Sequence, residues 1–207
     1  MTKADIDDWG KLWRLLKYLH GTIDLPLTLS IDDMCVVKTW VDAAFATHHD
    51  MRSHTGGYIT MGKGELYASS TRQKLNTKST TEAELVGAGD FLPKTIWTAN
   101  FIEAQGYQIK RNEFHQDNQS AMKMEKNGRQ SAGQRSRHIN IRYFFIKDKI
   151  DQGDISLMYC PTGEMIADFF TKPQQGGMFT CFRDVVMGIK HHSSIRVPTS
   201  QGQERVG

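Results

Sequence analysis

The stretch that decides the fold class is Met34-Cys35-Val36-Val37-Lys38-Thr39-Trp40-Val41-Asp42. A short apolar run ending in a carboxylate is the pattern of a strand buried in a sheet. Downstream, after a polar loop from Thr47 to Thr55, Gly57-Tyr58-Ile59-Thr60-Met61 and Glu65-Leu66-Tyr67-Ala68-Ser69-Ser70 flank Gly62-Lys63-Gly64 and read as a hairpin with a glycine turn. Ser79-Thr80-Thr81-Glu82 is a capping-box sequence that starts a helix, continued by Ala83, Leu85, Val86 and Ala88. Pro93 is expected to kink or break that helix. Ile96, Trp97, Phe101 and Ile102 then resume the helical spacing, and Gly106 ends it. Glu113-Phe114-His115-Gln116-Asp117 reads as a second strand end, followed by a short helix from Asn118 to Lys126. Ile139, Tyr143, Phe144, Ile146 and Ile150 trace an amphipathic helix, Ile155-Ser156-Leu157-Met158-Tyr159 a strand, and Pro161-Thr162-Gly163-Glu164 leads into a helix holding Asp168.

Upstream of the deciding strand, Trp9, Leu12, Trp13, Leu16 and Leu19 recur at helical spacing, with Gly21 as a stop. Leu25, Leu27, Leu29 and Ile31 alternate as a short strand would, and Asp32-Asp33 marks a turn. After about Met187 the chain is polar and without pattern, which predicts a disordered tail. No internal repeat is visible. The element order predicts an α/β fold, a mixed central sheet flanked by helices.

Composition bounds the class without choosing a function. The chain has 207 residues, 39% hydrophobic and 24% charged, enough for a sizeable core and typical of a soluble globular protein. Its net charge of +3 and pI of about 8.7 permit a polyanionic partner without demanding one. Three scattered cysteines, Cys35, Cys160 and Cys181, form no CxxC pair, so a disulfide framework or cysteine zinc site is not expected and a reducing compartment, cytoplasmic or nuclear, fits better. No apolar run reaches membrane-spanning length, and the opening residues lack an apolar signal core.

Four acids stand out: Asp42 and Asp117 at strand ends, Glu84 early in a capped helix, and Asp168 near the start of another. Phosphodiester hydrolysis needs an activated water and a stabilised leaving oxygen, and two divalent ions about 3.5–4 Å apart supply both. Mg²⁺ favours hard oxygen ligands, so a few carboxylates on rigid elements are the whole protein requirement. Crowded acids are costly without a cation. Yet aspartate at a strand end is commonly a turn former, and glutamate early in a helix a dipole partner. Spacing alone leaves both readings open. Other signals read more simply. His48, His49 and His54 are loop histidines rather than a zinc set. Tyr58, Tyr67 and Trp97 read as core aromatics, and Cys160 as a buried small residue rather than a nucleophile.

Several strings together resemble the ribonuclease H domain of copia-type LTR retrotransposons, over about residues 34–175: Val41-Asp42-Ala43-Ala44-Phe45-Ala46; His54-Thr55-Gly56-Gly57-Tyr58-Ile59; Lys78-Ser79-Thr80-Thr81-Glu82-Ala83-Glu84-Leu85; Gln116-Asp117-Asn118-Gln119-Ser120-Ala121; Arg137-His138-Ile139-Asn140-Ile141-Arg142-Tyr143; and Pro161 to Pro173, with Asp168 inside it. The resemblance implies a ribonuclease H-like fold and a D-E-D-D site of Asp42, Glu84, Asp117 and Asp168. It implies two Mg²⁺ ions, with Mn²⁺ as a substitute, and cleavage of the RNA strand of RNA/DNA hybrids. Glu82 is left as the capping-box partner. Asn118, Gln119 and Ser120, opening a helix, are candidates for holding a phosphate or 2′-hydroxyl, and Arg135, Arg137 and His138 for the hybrid backbone. Residues 1–33 resemble the remnant of a connection to a reverse transcriptase domain, the expected partner in a full polyprotein and its virus-like particle. Residues 176–207 are expected to be a partly disordered extension. Asp32-Asp33 sits in a turn without the aromatic of a polymerase motif, so no polymerisation is expected. An inactive, vestigial or merely nucleic-acid-binding copy is the competing expectation. The chain departs from the family pattern at Tyr67, where many members carry tryptophan, at Pro93, and in the loop from Arg129 to Gln134.

Overall fold

The computed structural model describes residues 4–127 and 137–195. Its centre is strand β2 (Val36–Ala44), buried along nearly its whole length as its apolar run predicts. β3 (His54–Thr60) and β5 (Tyr67–Arg72) extend the sheet antiparallel on one side, and β6 (Arg111–Gln116) and β7 (Ser156–Tyr159) extend it parallel on the other, in the order β5-β3-β2-β6-β7. This is the expected α/β arrangement, a mixed central sheet flanked by helices. The short β1 (Ser30–Ile31) and β4 (Gly62–Lys63) pair separately.

The pleat of β2 sends alternate residues to two cores. Val37 and Val41 join Ile59, Leu85, Phe91, Leu92, Phe114 and Ile146 under α2 (Thr80–Ala104) and α4 (Arg137–Asp151). Trp40 and Tyr58 lie on the other face with Ile166, Phe182, Val185 and Ile195. That face is covered by α5 (Asp168–Thr171) and α6 (Gly176–Val186). The Gly56-Gly57 pair lets both layers close. A Cβ on Gly57 would come 2.1 Å from the Phe91 ring, and one on Gly56 2.7 Å from Thr171 Cγ2. Gly57→Ala is therefore expected to cost about 2–3 kcal/mol through overpacking. The check is the urea midpoint of unfolding, and an unchanged midpoint refutes it.

Several expectations are corrected. α2 runs through Pro93 without interruption. Proline removes only the bond to the Gly89 carbonyl, and burial on both sides, at Leu85, Ala88, Leu92, Thr95 and Ala99, holds the helix. Thr95 also meets Thr39 of β2, hydroxyl to hydroxyl at 3.1 Å. The strand expected from Leu25 shrinks to two residues, because Pro26 has no N–H and Thr28 N–H donates to the Met187 carbonyl instead.

The tail expected to be disordered after Met187 is packed as far as Ile195, which is buried against the Trp40 face; residues 196–207 lie outside the described residues. Tyr67 and Trp97 are not core aromatics. They are 38% and 63% exposed, along an apolar groove of about 830 Å³ at the sheet edge, where no described element covers them. Tyr58 is fully buried, as expected. α1 (Ile6–Gly21) forms with an Asp5 capping box, but it buries none of its residues. Its apolar stripe makes one aromatic contact, Tyr18 with Phe179 at 5.6 Å.

Candidate metal centre

The parallel pairing of β2 with β6 builds the site. Val36 faces Arg111 and Trp40 faces His115, a constant offset that carries Asp42 to the level of Asp117 just beyond the end of β6. Adjacent parallel strand ends at the middle of a sheet are where an open α/β fold offers its crevice. Asp168 enters as the first residue of α5, whose approach Gly56 permits, since Gly56 is the register partner of Asp42. The carboxylate oxygens of Asp42, Asp117 and Asp168 lie within 4.8 Å of one another.

Glu84 comes from the first turns of α2, after the Ser79 cap, whose hydroxyl accepts the Glu82 N–H at 3.2 Å. Glu82 turns back to accept the Lys78 N–H at 2.8 Å, one residue beyond the N-cap N–H that a reciprocal capping box would use. That leaves Glu84 as the glutamate aimed at the cleft, which Asp42, Glu84, Asp117, Asn118, Gln119, Ser120 and Lys172 line.

The electrostatics are those of a site built for a cation. Burial, then the charges of Asp42 and Asp117, push the Glu84 carboxyl well above the ordinary range. Burial likewise raises Asp168 to about 6, with Asp42 adding to it and Lys172 opposing. One Glu84 oxygen, Oε2, is buried and has no hydrogen-bond partner. A buried carboxylate oxygen without a donor is expensive, and hard divalent cations take such oxygens as ligands. The residues present therefore fit Mg²⁺ or Mn²⁺.

Three side chains absent from the expected set complete the cluster. Thr171 Oγ1 donates to Asp42 Oδ2, Thr162 Oγ1 donates to Asp117 Oδ2 at 2.9 Å, and Lys172 Nζ donates to Asp168 Oδ1 at 2.7 Å. Only Lys172 had a readable signal, since a lysine four residues after an aspartate on a helix meets it. Of the expected substrate contacts, Gln119 and Ser120 are exposed at the cleft. Asn118 lines it too, but its Oδ1 is spent accepting the Ala121 N–H at 3.0 Å as the cap of α3 (Gln119–Asn127). Arg135 lies outside the described residues, as do the side chains of Arg137 and His138, whose backbone begins α4.

His48 and His54 hydrogen bond to each other at 3.0 Å and, among the described residues, belong to no metal-type cluster. His191 and His192, within the segment expected to be disordered, cluster with Asp32. There Lys38 Nζ and His191 Nε2 already hold Asp32 Oδ2, at 3.0 and 2.7 Å, so the cluster ties the C-terminal segment to β2 as an ion-paired clasp. Asp33 accepts the Cys35 N–H, the turn role expected of it. Cys160 is buried, and burial pushes its thiol up to about 12, which suits packing rather than nucleophilic attack.

Fold and site together define an α/β domain with an acidic, cation-seeking cleft. No protein-family profile matches the chain. Among curated proteins it is 30% identical over 181 residues to a retrovirus-related Pol polyprotein from a transposon of Nicotiana tabacum, covering 87% of this chain and 13% of that one. It is 29% identical over 198 residues to such a polyprotein from Arabidopsis thaliana, covering 95% and 13%. A second from Arabidopsis thaliana is 28% identical over 173 residues, covering 83% and 12%. Over most of its length the chain is thus similar to retrovirus-related Pol polyproteins of plant transposons, and it spans only about an eighth of the length of these relatives.

Among solved structures, a ribonuclease H1 isolated from compost aligns with a TM-score of 0.44 at 12% identity, over 66% of this chain and 92% of that one. A ribonuclease H1 from the halophilic archaeon Halobacterium salinarum aligns at 0.36 and 13%, over 61% and 86%. Among the described residues, no helix is long and apolar enough to cross a membrane.

Proposed function

We propose that this chain is a ribonuclease H domain, a Mg²⁺-dependent endonuclease that cuts the RNA strand of RNA/DNA hybrids during retrotransposon reverse transcription. The observation that carries this reading is the convergence of Asp42, Asp117 and Asp168 within 4.8 Å, beside the orphaned buried oxygen of Glu84. Bound divalent ions supply a nucleophilic water and neutralise charge on the leaving oxygen.

The chain's own residues do the positioning. Asp42, Glu84, Asp117 and Asp168 present ligand oxygens from a strand, a strand end and two helices, all anchored in the core. Thr171 and Thr162 orient the Asp42 and Asp117 carboxylates by hydrogen bonds. Gln119 and Ser120, at the start of α3 and open to solvent, offer donors to a phosphate or to the 2′-hydroxyl that separates RNA from DNA. Arg135, Arg137 and His138 are assigned to the hybrid backbone on the sequence resemblance alone. The same reading makes a reverse transcriptase domain the partner in the full polyprotein and places its work in the cytoplasm or nucleus, within a virus-like particle.

The test is a labelled RNA/DNA hybrid incubated with the purified chain and Mg²⁺, beside Asp117→Asn and an EDTA control. Cleavage confined to the RNA strand, and lost in both controls, is expected. Equal silence of parent and variant with hybrid binding retained identifies the inactive copy instead, and cutting of duplex DNA refutes the ribonuclease assignment.

A further inference from the structure

Lys172 is the residue of the cleft that the metal chemistry leaves without a role. Its placement is set locally. Asp168 starts α5, Lys172 follows four residues on, and the Lys172 N–H closes the last turn on the Asp168 carbonyl at 2.9 Å. Pro173 forces the preceding residue into an extended conformation, so Lys172 leaves the helix at φ −122° and ψ 136° with its side chain beside the acids. The ammonium sits 2.7 Å from Asp168 Oδ1 and 3.8 Å from Asp42 Oδ2. Its side chain is 42% exposed, whereas those of Asp42 and Asp168 are 3% and 11% exposed. The carboxylates are thus fixed in the core, while the cation reaches them on a flexible stem from the solvent side.

Resting on the metal-site reading above, we propose that Lys172 is a built-in counter-cation: it pairs with Asp168 and offsets part of the charge of the Asp168–Asp42 pair when no metal is bound, and must withdraw when one binds. A divalent ion held by Asp42 and Asp168 would compete with Nζ for the same two carboxylates. The Thr171 hydroxyl has no such conflict, because it is uncharged and a carboxylate oxygen has further lone pairs. A four-carbon stem carrying a compact charge can swing out at little cost. The device keeps Asp42 and Asp168 from standing without a counter-charge in the metal-free fold, and it lowers metal affinity in return, as linkage requires of any internal competitor.

The test is Mg²⁺ and Mn²⁺ titration by calorimetry, with thermal melting of the metal-free chain, for the parent, K172M and K172R. K172M is expected to melt lower without metal and to bind Mg²⁺ about tenfold tighter. K172R, which keeps the charge, is expected to stay within about twofold of the parent in affinity. Unchanged or weaker binding by K172M overturns the proposal, as does an unchanged metal-free melting temperature. Neither measurement needs cleavage, so the counter-cation can fail while the nuclease reading stands. A parent that binds no divalent ion refutes the metal site and the counter-cation together.

Discussion

Glu84→Gln is expected to lower hybrid cleavage at least about a thousandfold, some 4 kcal/mol of barrier, while making the metal-free protein more stable. Glutamine keeps the shape and can still meet the Ala43 backbone contact of Glu84. It removes the charge that burial and the neighbouring Asp42 and Asp117 oppose. It also replaces the orphaned anionic Oε2 with a neutral group that has little affinity for Mg²⁺. The two readouts should therefore move in opposite directions: metal-free melting temperature up, cleavage down. Mg²⁺ should raise the parent's melting temperature more than the variant's, because only the parent has all its ligands. A variant that cleaves at the parental rate removes Glu84 from the site. A variant that loses activity and also melts lower without metal shows that Glu84 acts in folding rather than in metal binding.

That opposition separates what the chain's local patterns disclose from what they conceal. The buried strand ending in Asp42, the strand end at Asp117 and the Ser79 cap that aims Glu84 rather than Glu82 are local features, readable from a few consecutive residues. Their convergence is not local. It follows from the β2–β6 register and from Gly56, whose missing Cβ lets α5 bring Asp168 and Thr171 down on Asp42.

The failures have the same origin. Pro93 reads as a breaker because propensity counts one lost bond, whereas the helix is held by its buried flanks. Trp97 and Tyr67 read as core because they are aromatic, but the core ends before the sheet edge. The segment from Met187 to Ile195 reads as featureless because it is mostly polar, and Ile195 acquires meaning only against the Trp40 face. Thr162, on the turn after β7, gives no local sign that Asp117 will be its acceptor.

The second large effect lies behind the site. Glu125 of α3 is fully buried, neither carboxylate oxygen has a hydrogen-bond partner, and burial pushes its carboxyl up to about 8, with the charge of Lys126 opposing this only in part. The sign of the pH dependence follows from the shift. Below the ordinary glutamate range the acid is protonated both folded and unfolded, so it costs nothing. As pH rises from about 4.5 toward 8, the unfolded chain ionises freely while the fold keeps the proton, and stability falls by about 1.4 kcal/mol per unit. The accumulated penalty reaches about 3–5 kcal/mol and levels off above pH 8.

Glu125→Gln does not ionise, and its amide can pair with the side chain of Gln116, whose Oε1 and Nε2 are also unpartnered. The variant and parent should therefore unfold at nearly the same urea concentration at pH 4.5, with the variant pulling ahead steadily to pH 8 and by a constant margin beyond. Because the prediction concerns the difference between two chains sharing every other titrating group, acids elsewhere cancel. A difference that stays flat across that range would mean that Glu125 is solvated or paired in solution. The buried acid behind Asp117 would then be no source of instability.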